Sequence, residues 1–239
     1  MILDAPIGTR LIARGMRPQD VVSASFADVL QLHRADVAAG ADTVLTNTFA
    51  LPFRAFDLDV SKYVAPAIAC AQASGARHVL VSLGPPAQGN AARNEEAMER
   101  VLTSVALALR TARVMGVLLE TLSLSDQSWL PDACARLRAD GIAVALSFIA
   151  GTTLPESVPE GVFALGANCS LSAHRPEFSD VLHKAKVLGL KSYLKPAIHG
   201  DASWLVETCA PFDMVGVCCG GDSSHVAALA SARVRGIVE

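Results

Sequence analysis

Eight short runs of apolar and β-branched residues recur along this 239-residue chain, each separated from the next by a longer stretch rich in alanine, leucine and charge. The runs cover residues 1–7, 43–49, 78–83, 114–122, 142–149, 161–169, 190–196 and 214–219. Strands that alternate with helical stretches form βαβ units and hence a parallel sheet. Eight such units are the number needed to close a (β/α)8 TIM barrel. The chain is therefore predicted to be one compact barrel domain over residues 1–239, a size that suits a single α/β barrel.

The helical stretches support this reading. In residues 18–39, Val22, Phe26, Val29, Leu30 and Val37 recur at helical spacing, and Gly40 follows as a stop. Further helices are expected over 94–115, which opens on Glu95-Glu96, and over 129–139, 178–188 and 223–237. One unit looks stunted. Residues 150–160 read Ala-Gly-Thr-Thr-Leu-Pro-Glu-Ser-Val-Pro-Glu, and two prolines leave room for a single turn, so the fifth βα unit is expected to be shortened.

Composition narrows the function. Hydrophobic residues make up 51% and charged residues 18%, with a formal net charge of −3 and no basic run. That argues against a nucleic-acid partner. No apolar stretch approaches the roughly 20 residues of a membrane span. Met1-Ile2-Leu3-Asp4 has no basic leader segment, so a cytoplasmic location is expected. In that compartment the six cysteines are better read as thiols or metal ligands than as a disulfide framework.

Barrel active sites lie at the C-terminal ends of the strands. There the apolar runs turn polar: Asp4 to Thr9, Thr46-Asn47-Thr48-Phe49, Ser82, Glu120-Thr121, Ser147, Asn168-Cys169, Lys195-Pro196 and Cys218-Cys219-Gly220-Gly221. Three of these residues are cysteines. Cys169, Cys218 and Cys219 converge if their strands end on one face, and three protein ligands with one open position is the pattern of a catalytic zinc. In a regular strand Cys218 and Cys219 point to opposite faces. Both reach one ion only if the backbone leaves strand geometry, which Gly220-Gly221 permits. Cys70, Cys134 and Cys209 fall in helical stretches and read as core filler.

The ordered set Asp4-x-x-x-Gly8-Thr9, Thr46-Asn47-Thr48-Phe49, Glu120-Thr121, Gly166-x-Asn168-Cys169 and Cys218-Cys219-Gly220 with His225 resembles the zinc-dependent homocysteine S-methyltransferase domain. The resemblance runs from Ile2 to the last helix. It implies zinc (Zn2+) on Cys169, Cys218 and Cys219, with the homocysteine thiol as fourth ligand. It implies that Glu120 holds the substrate amino group and that Asp4 and Thr46 line the pocket, with Ser147 and Asn168 as further substrate contacts. The implied reaction moves a methyl group from S-methylmethionine, S-adenosylmethionine, a betaine-like onium compound or a methyl-corrinoid to homocysteine. A corrinoid or other donor then comes from a separate protein. Three alternatives stay open: another thiol acceptor on the same scaffold, a non-catalytic zinc-binding subunit, or a redox protein using Cys218-Cys219 as a disulfide. The chain departs from the family pattern at Ala5-Pro6, Ala197 and Val217. His225, near a helix start, reads as structural.

Overall fold

A computed structural model of the chain describes residues 1–86, 90–149, 152–169, 175–200, 202–234 and 236. Its centre is a seven-stranded parallel sheet whose spatial order follows the chain. The strands are β1 (Thr43–Leu45), β2 (His78–Leu83), β3 (Gly116–Leu122), β4 (Val144–Ile149), β5 (Val162–Asn168), β6 (Lys191–Lys195) and β7 (Met214–Val215). The helices are α1 (Ile7–Ala13), α2 (Phe26–Ala38), α3 (Ser61–Gln72), α4 (Ala91–Leu109), α5 (Leu130–Ala139), α6 (Arg175–Val187), α7 (Leu205–Cys209) and α8 (Ser223–Val234).

Side chains alternate between the two faces of each strand, and both faces are buried. One face collects Leu3, Leu45, Leu80, Leu118, Ala145, Ala164, Tyr193 and Met214, which is one residue from each strand plus Leu3, in a single apolar layer. The other face, including Val81, Leu119, Leu146 and Phe148, packs against helical residues such as Ile68, Val101 and Leu137. Truncating a fully buried member such as Leu118 to alanine costs about 2–5 kcal/mol. Two positions beyond the inner layer, on the same face, stand Ser82, Glu120, Ser147 and Lys195. The period of two thus fixes which polar residues look inward above the apolar floor.

The structure corrects the count of eight strands. Residues 1–7 do not form a strand: Ile2 and Leu3 make only isolated parallel bridges, to Val215 and Thr43. Pro6 lacks an N–H to continue a ladder, and its preset φ of −69° starts α1 instead. The expected strand over 43–49 stops at Leu45, and that over 214–219 stops at Val215. Gly216 follows, its N–H still donating to Leu194 O (3.0 Å), with Leu3 so close that a Cβ at this position would sit 3.0 Å from Leu3 Cβ.

The helices shift too. The stretch 18–39 splits into a 3-10 turn (Pro18–Ser23) and α2, because Ser25 is extended and caps α2 by accepting from the Asp28 N–H. α4 starts three residues earlier than expected, at Ala91, because Asn90 caps it by accepting from the Arg93 N–H. α3 was not anticipated; it carries Pro66 in its interior and has no side-chain cap. Between β4 and β5 the described residues 152–161 form no helix, as two prolines in that segment lead one to expect. Residues 235 and 237 of the expected last helix lie outside the described residues.

Candidate active site and metal centre

The strand ends and the loops after them enclose a cavity of about 160 Å³. Its charged lining is Asp4, Glu120 and Lys195, its sulfur lining Cys169, Cys218 and Cys219, and much of the rest is apolar, including Pro6, Val22, Leu45 and Phe49.

The three cysteine sulfurs lie within 4.8 Å of one another. Cys169 Sγ is 2.7 Å from Cys218 Sγ and 3.7 Å from Cys219 Sγ. All three are free thiols. The longer distance matches the spacing, a little under 4 Å, of sulfurs sharing a tetrahedral zinc at about 2.3 Å, and the shorter one opens by about 1 Å to do so. The donor set is all sulfur, which suits zinc and excludes magnesium or calcium. The thiols are electrostatically unequal. Hydrogen bonds from Cys169 and Cys218 draw Cys219 down to about 3, while donating those bonds pushes Cys169 up. At Cys218 the Cys169 contact acts downward, but Cys219 and burial outweigh it and leave the thiol raised.

The cysteines are assembled on one short segment, residues 195–198, which starts at the last residue of β6. The Cys169 N–H donates to Lys195 O (3.2 Å), the Cys218 N–H to Pro196 O (2.8 Å), and the Ile198 N–H to Cys219 O (2.7 Å). The departure from strand geometry expected at the pair is present. Gly220 has φ +81°, and a Cβ there would lie 2.0 Å from Ile198 O, so only glycine fits. Cys169 itself has φ +53°.

Glu120 is buried on β3, with Oε1 accepting from the Ser82 hydroxyl and Oε2 from Asn168 Nδ2 at 3.3 Å. Burial raises its pKa to about 7, against the opposing pull of Lys195. Thr121 follows in the left-handed region (φ +65°), and the β3–β4 register slips between Leu119 and Leu122. Left-handed β-branched backbone is strained, and such strain concentrates at functional sites. Asn168 holds it: its Oδ1 accepts from the Thr121 N–H (3.0 Å) and the Ser147 hydroxyl (2.9 Å), and its Nδ2 donates to Thr121 Oγ1 (2.8 Å).

Asp4 is buried at the cavity edge. Its Oδ1 accepts from Lys195 Nζ (3.2 Å) and its Oδ2 from the Leu45 N–H (2.9 Å). Behind it His33 Nδ1 stands 3.7 Å away. Asp36, fully buried, accepts from the Ala5 N–H, Arg10 and the Ser223 hydroxyl, tying α1, α2 and α8 together beneath the site.

The sequence-predicted residues separate into two groups. Asp4, Thr46, Glu120, Asn168 and the three cysteines line the cavity; Ser147 does not, and reaches it only through Asn168. Thr46 Oγ1 accepts from the Ser82 N–H, and the Thr48 hydroxyl donates to Ser82 O. Thr46 therefore donates its own proton to Thr48 (2.6 Å) and keeps only one lone pair for a ligand. His225 pairs with Asp222 at 2.9 Å and is not among the clustered sulfurs. Lys195 stood in the sequence only as a polar strand end. Its one signal was a cation directly after Tyr193-Leu194 at the end of the strand.

Comparison with known proteins agrees with this geometry. The model of the homocysteine S-methyltransferase family matches residues 1–233. No curated protein matches the chain. Among solved structures, the homocysteine methyltransferase MmuM from Escherichia coli in its metallated form superposes with a TM-score of 0.74 at 20% identity, covering 97% of this chain and 96% of that one. The oxidized form of the same protein gives 0.75 at 21% identity, covering 98% and 95%. Dihydrodipicolinate synthase from Aquifex aeolicus gives 0.54 at 14% identity, covering 89% and 70%. These likenesses establish a shared fold. It is the family match, spanning nearly the whole length, that decides the matter: the chain belongs to the homocysteine S-methyltransferase family.

Proposed function

We propose that the protein transfers a methyl group from a small donor to the sulfur of L-homocysteine, forming methionine, on zinc held by Cys169, Cys218 and Cys219. The observation that carries this reading is the convergence of three thiols beside a buried carboxylate, Glu120, in one cavity. The arrangement is read as a (β/α)8 barrel over the whole chain, with residues 2–4 as its shortened first stave, because their bridges reach both edges of the sheet.

Zinc bound there supplies a fourth position at which a substrate thiol loses its proton at neutral pH. The chain's own residues do the rest. Glu120, in its ionised form, takes the substrate ammonium, and Ser82 and Asn168 fix the carboxylate so that this contact needs no rearrangement. The ammonium's charge favours ionisation of Glu120 and counters the effect of its burial. Asn168 and the segment 195–198 hold Glu120 and the cysteine backbones in register. The apolar wall of Pro6, Val22, Leu45 and Phe49 limits water around the reacting sulfur. In the transfer, a sulfur lone pair forms the new S–C bond. The bond between the methyl carbon and the donor atom breaks, and its electron pair leaves with the donor. S-methylmethionine, S-adenosylmethionine and betaine-like compounds fit this balance as onium donors, and a methyl-corrinoid on a separate protein does so as well. We place the reaction in the cytoplasm; no helix among the described residues is long and apolar enough to cross a membrane.

Metal content is the test. About one zinc per chain in wild-type protein purified under reductant, with little in Cys219→Ala, is expected. Methionine should then form from homocysteine with one of the donors supplied singly. Zinc without turnover on any donor would favour a non-catalytic zinc-binding subunit, and wild-type protein without zinc would remove the mechanism.

A further inference from the structure

Lys195 is a buried cation with spare capacity. Its side chain is 4% exposed, it lines the cavity, and among the described residues its ammonium makes one hydrogen bond, to Asp4 Oδ1 at 3.2 Å. An ammonium carries three donors. Two are therefore left without a partner among the described residues, on a side chain that lines the cavity, where a bound ligand can supply the acceptor. The Asp4 carboxylate, equally buried, is the counter-charge of this ammonium. Among the residues lining the cavity it is the only permanent cation, facing the carboxylate Glu120 and the three sulfurs.

Resting on the homocysteine reading above, we propose that Lys195 determines acceptor specificity by binding the α-carboxylate of the amino-acid thiol while Glu120 binds its α-ammonium. The substrate is a zwitterion attached to a thiol. The cavity offers one group for each part: sulfur ligands for the thiol, a carboxylate for the ammonium and an ammonium for the carboxylate. Asp4 positions Lys195 by taking its first donor, and the Leu45 N–H and His33 behind Asp4 keep that carboxylate in place. The Lys195 main chain has a separate duty, since its carbonyl accepts from the Cys169 N–H. A side-chain substitution at 195 thus leaves the backbone contact to the metal ligand intact.

The experiment is calorimetric titration of zinc-loaded full-length protein with L-homocysteine, with 3-aminopropane-1-thiol, which lacks the carboxylate, and with 4-mercaptobutanoate, which lacks the amine. No methyl donor is needed. Wild type is expected to bind 3-aminopropane-1-thiol about tenfold to a hundredfold more weakly than homocysteine, the range of one charge-assisted hydrogen bond. In Lys195→Met that gap should shrink to within about threefold, while the gap to 4-mercaptobutanoate and the zinc content persist. Lys195→Arg should keep the first gap. If the single variant fails to fold, Asp4→Asn with Lys195→Met also removes the carboxylate that Lys195 neutralises and carries the same expectation. Equal binding of homocysteine and 3-aminopropane-1-thiol by wild type, or an unchanged gap in the methionine variants, overturns the assignment and leaves the acceptor reading standing. Failure of wild type to bind either amine-bearing thiol overturns both.

Discussion

The Asn168 carboxamide accepts a 3.0 Å hydrogen bond from the Thr121 N–H, joining the end of β5 to the end of β3 across β4. Each partner sits beside a functional side chain, Glu120 on one strand and Cys169 on the other. The only non-glycine residues of positive φ among those described are Thr121 and Cys169. The amide thus secures the strained corner at Thr121, while the corner at Cys169 is held by the Lys195 carbonyl.

Asn168→Ala removes that amide and leaves the Thr121 N–H and the Ser147 hydroxyl without a partner. At about 1–3 kcal/mol for each of these two unsatisfied groups, a loss of about 2–6 kcal/mol is expected. Urea unfolding should show a lower midpoint at unchanged slope. A loss below about 0.5 kcal/mol would mean that water replaces the amide and that Asn168 is not the brace described.

Gly220→Ala places a methyl group 2.0 Å from Ile198 O in a backbone of φ +81°. The left-handed penalty alone is about 1–2 kcal/mol, and the clash forces the 218–221 turn away from residues 195–198. Zinc should leave this variant faster than wild type under a chelator, while far-ultraviolet circular dichroism stays unchanged. Equal zinc retention would show that the turn relaxes without moving Cys219.

Removing the metal should expose half of the thiols. The chain has six cysteines. Burial raises Cys134 and Cys209 to about 12, and Cys70 is also raised by burial, so these three are expected to stay unreactive in the native state. Alkylation of zinc-free protein should modify up to three thiols, Cys219 first, and zinc-loaded protein should resist. Rapid labelling of all six would indicate that the fold depends on the metal.

Acid should destabilise the protein through His33. Burial lowers this imidazole from 6.5 to about 4, outweighing the upward pull of Asp36. The unfolded chain therefore binds its proton first, so the neutral ring's contribution is complete above pH 6.5 and is lost as the pH falls toward 4. The full effect is on the order of 3 kcal/mol. His33→Gln should flatten stability against pH in that window relative to wild type. Identical slopes in the two proteins would assign the acid sensitivity to other groups.

Much of this arrangement was legible in the sequence, for identifiable reasons. Strands β2 to β5 are largely apolar runs because both their faces are buried, and glycines such as Gly141 and Gly161 mark where β4 and β5 begin. The cysteine motifs stand out because two adjacent thiols before a Gly-Gly pair serve no packing purpose. The strand expected over residues 1–7 was overextended because Ile2, Leu3, Ala5 and Ile7 read as one apolar run, whereas only Ile2 and Leu3 bridge to the sheet before α1 begins. α3 was obscured by Pro66, which reads as a breaker but is tolerated here. Lys195 was passed over as a strand terminus because its meaning lies in Asp4, 191 positions away. The demotion of Ser147 and the occupied hydroxyl of Thr46 are matters of hydrogen-bond direction, which a one-dimensional pattern does not carry.

Residues 195–198 hold all three cysteines by main-chain atoms alone. Main-chain atoms are common to every residue, so this splint is indifferent to which side chains it bears. The side chain at position 195 can therefore vary while the cysteine backbones keep their footing. Such a template separates what a lineage must preserve, the path of the main chain, from what it is free to vary, and it offers an engineer the same division.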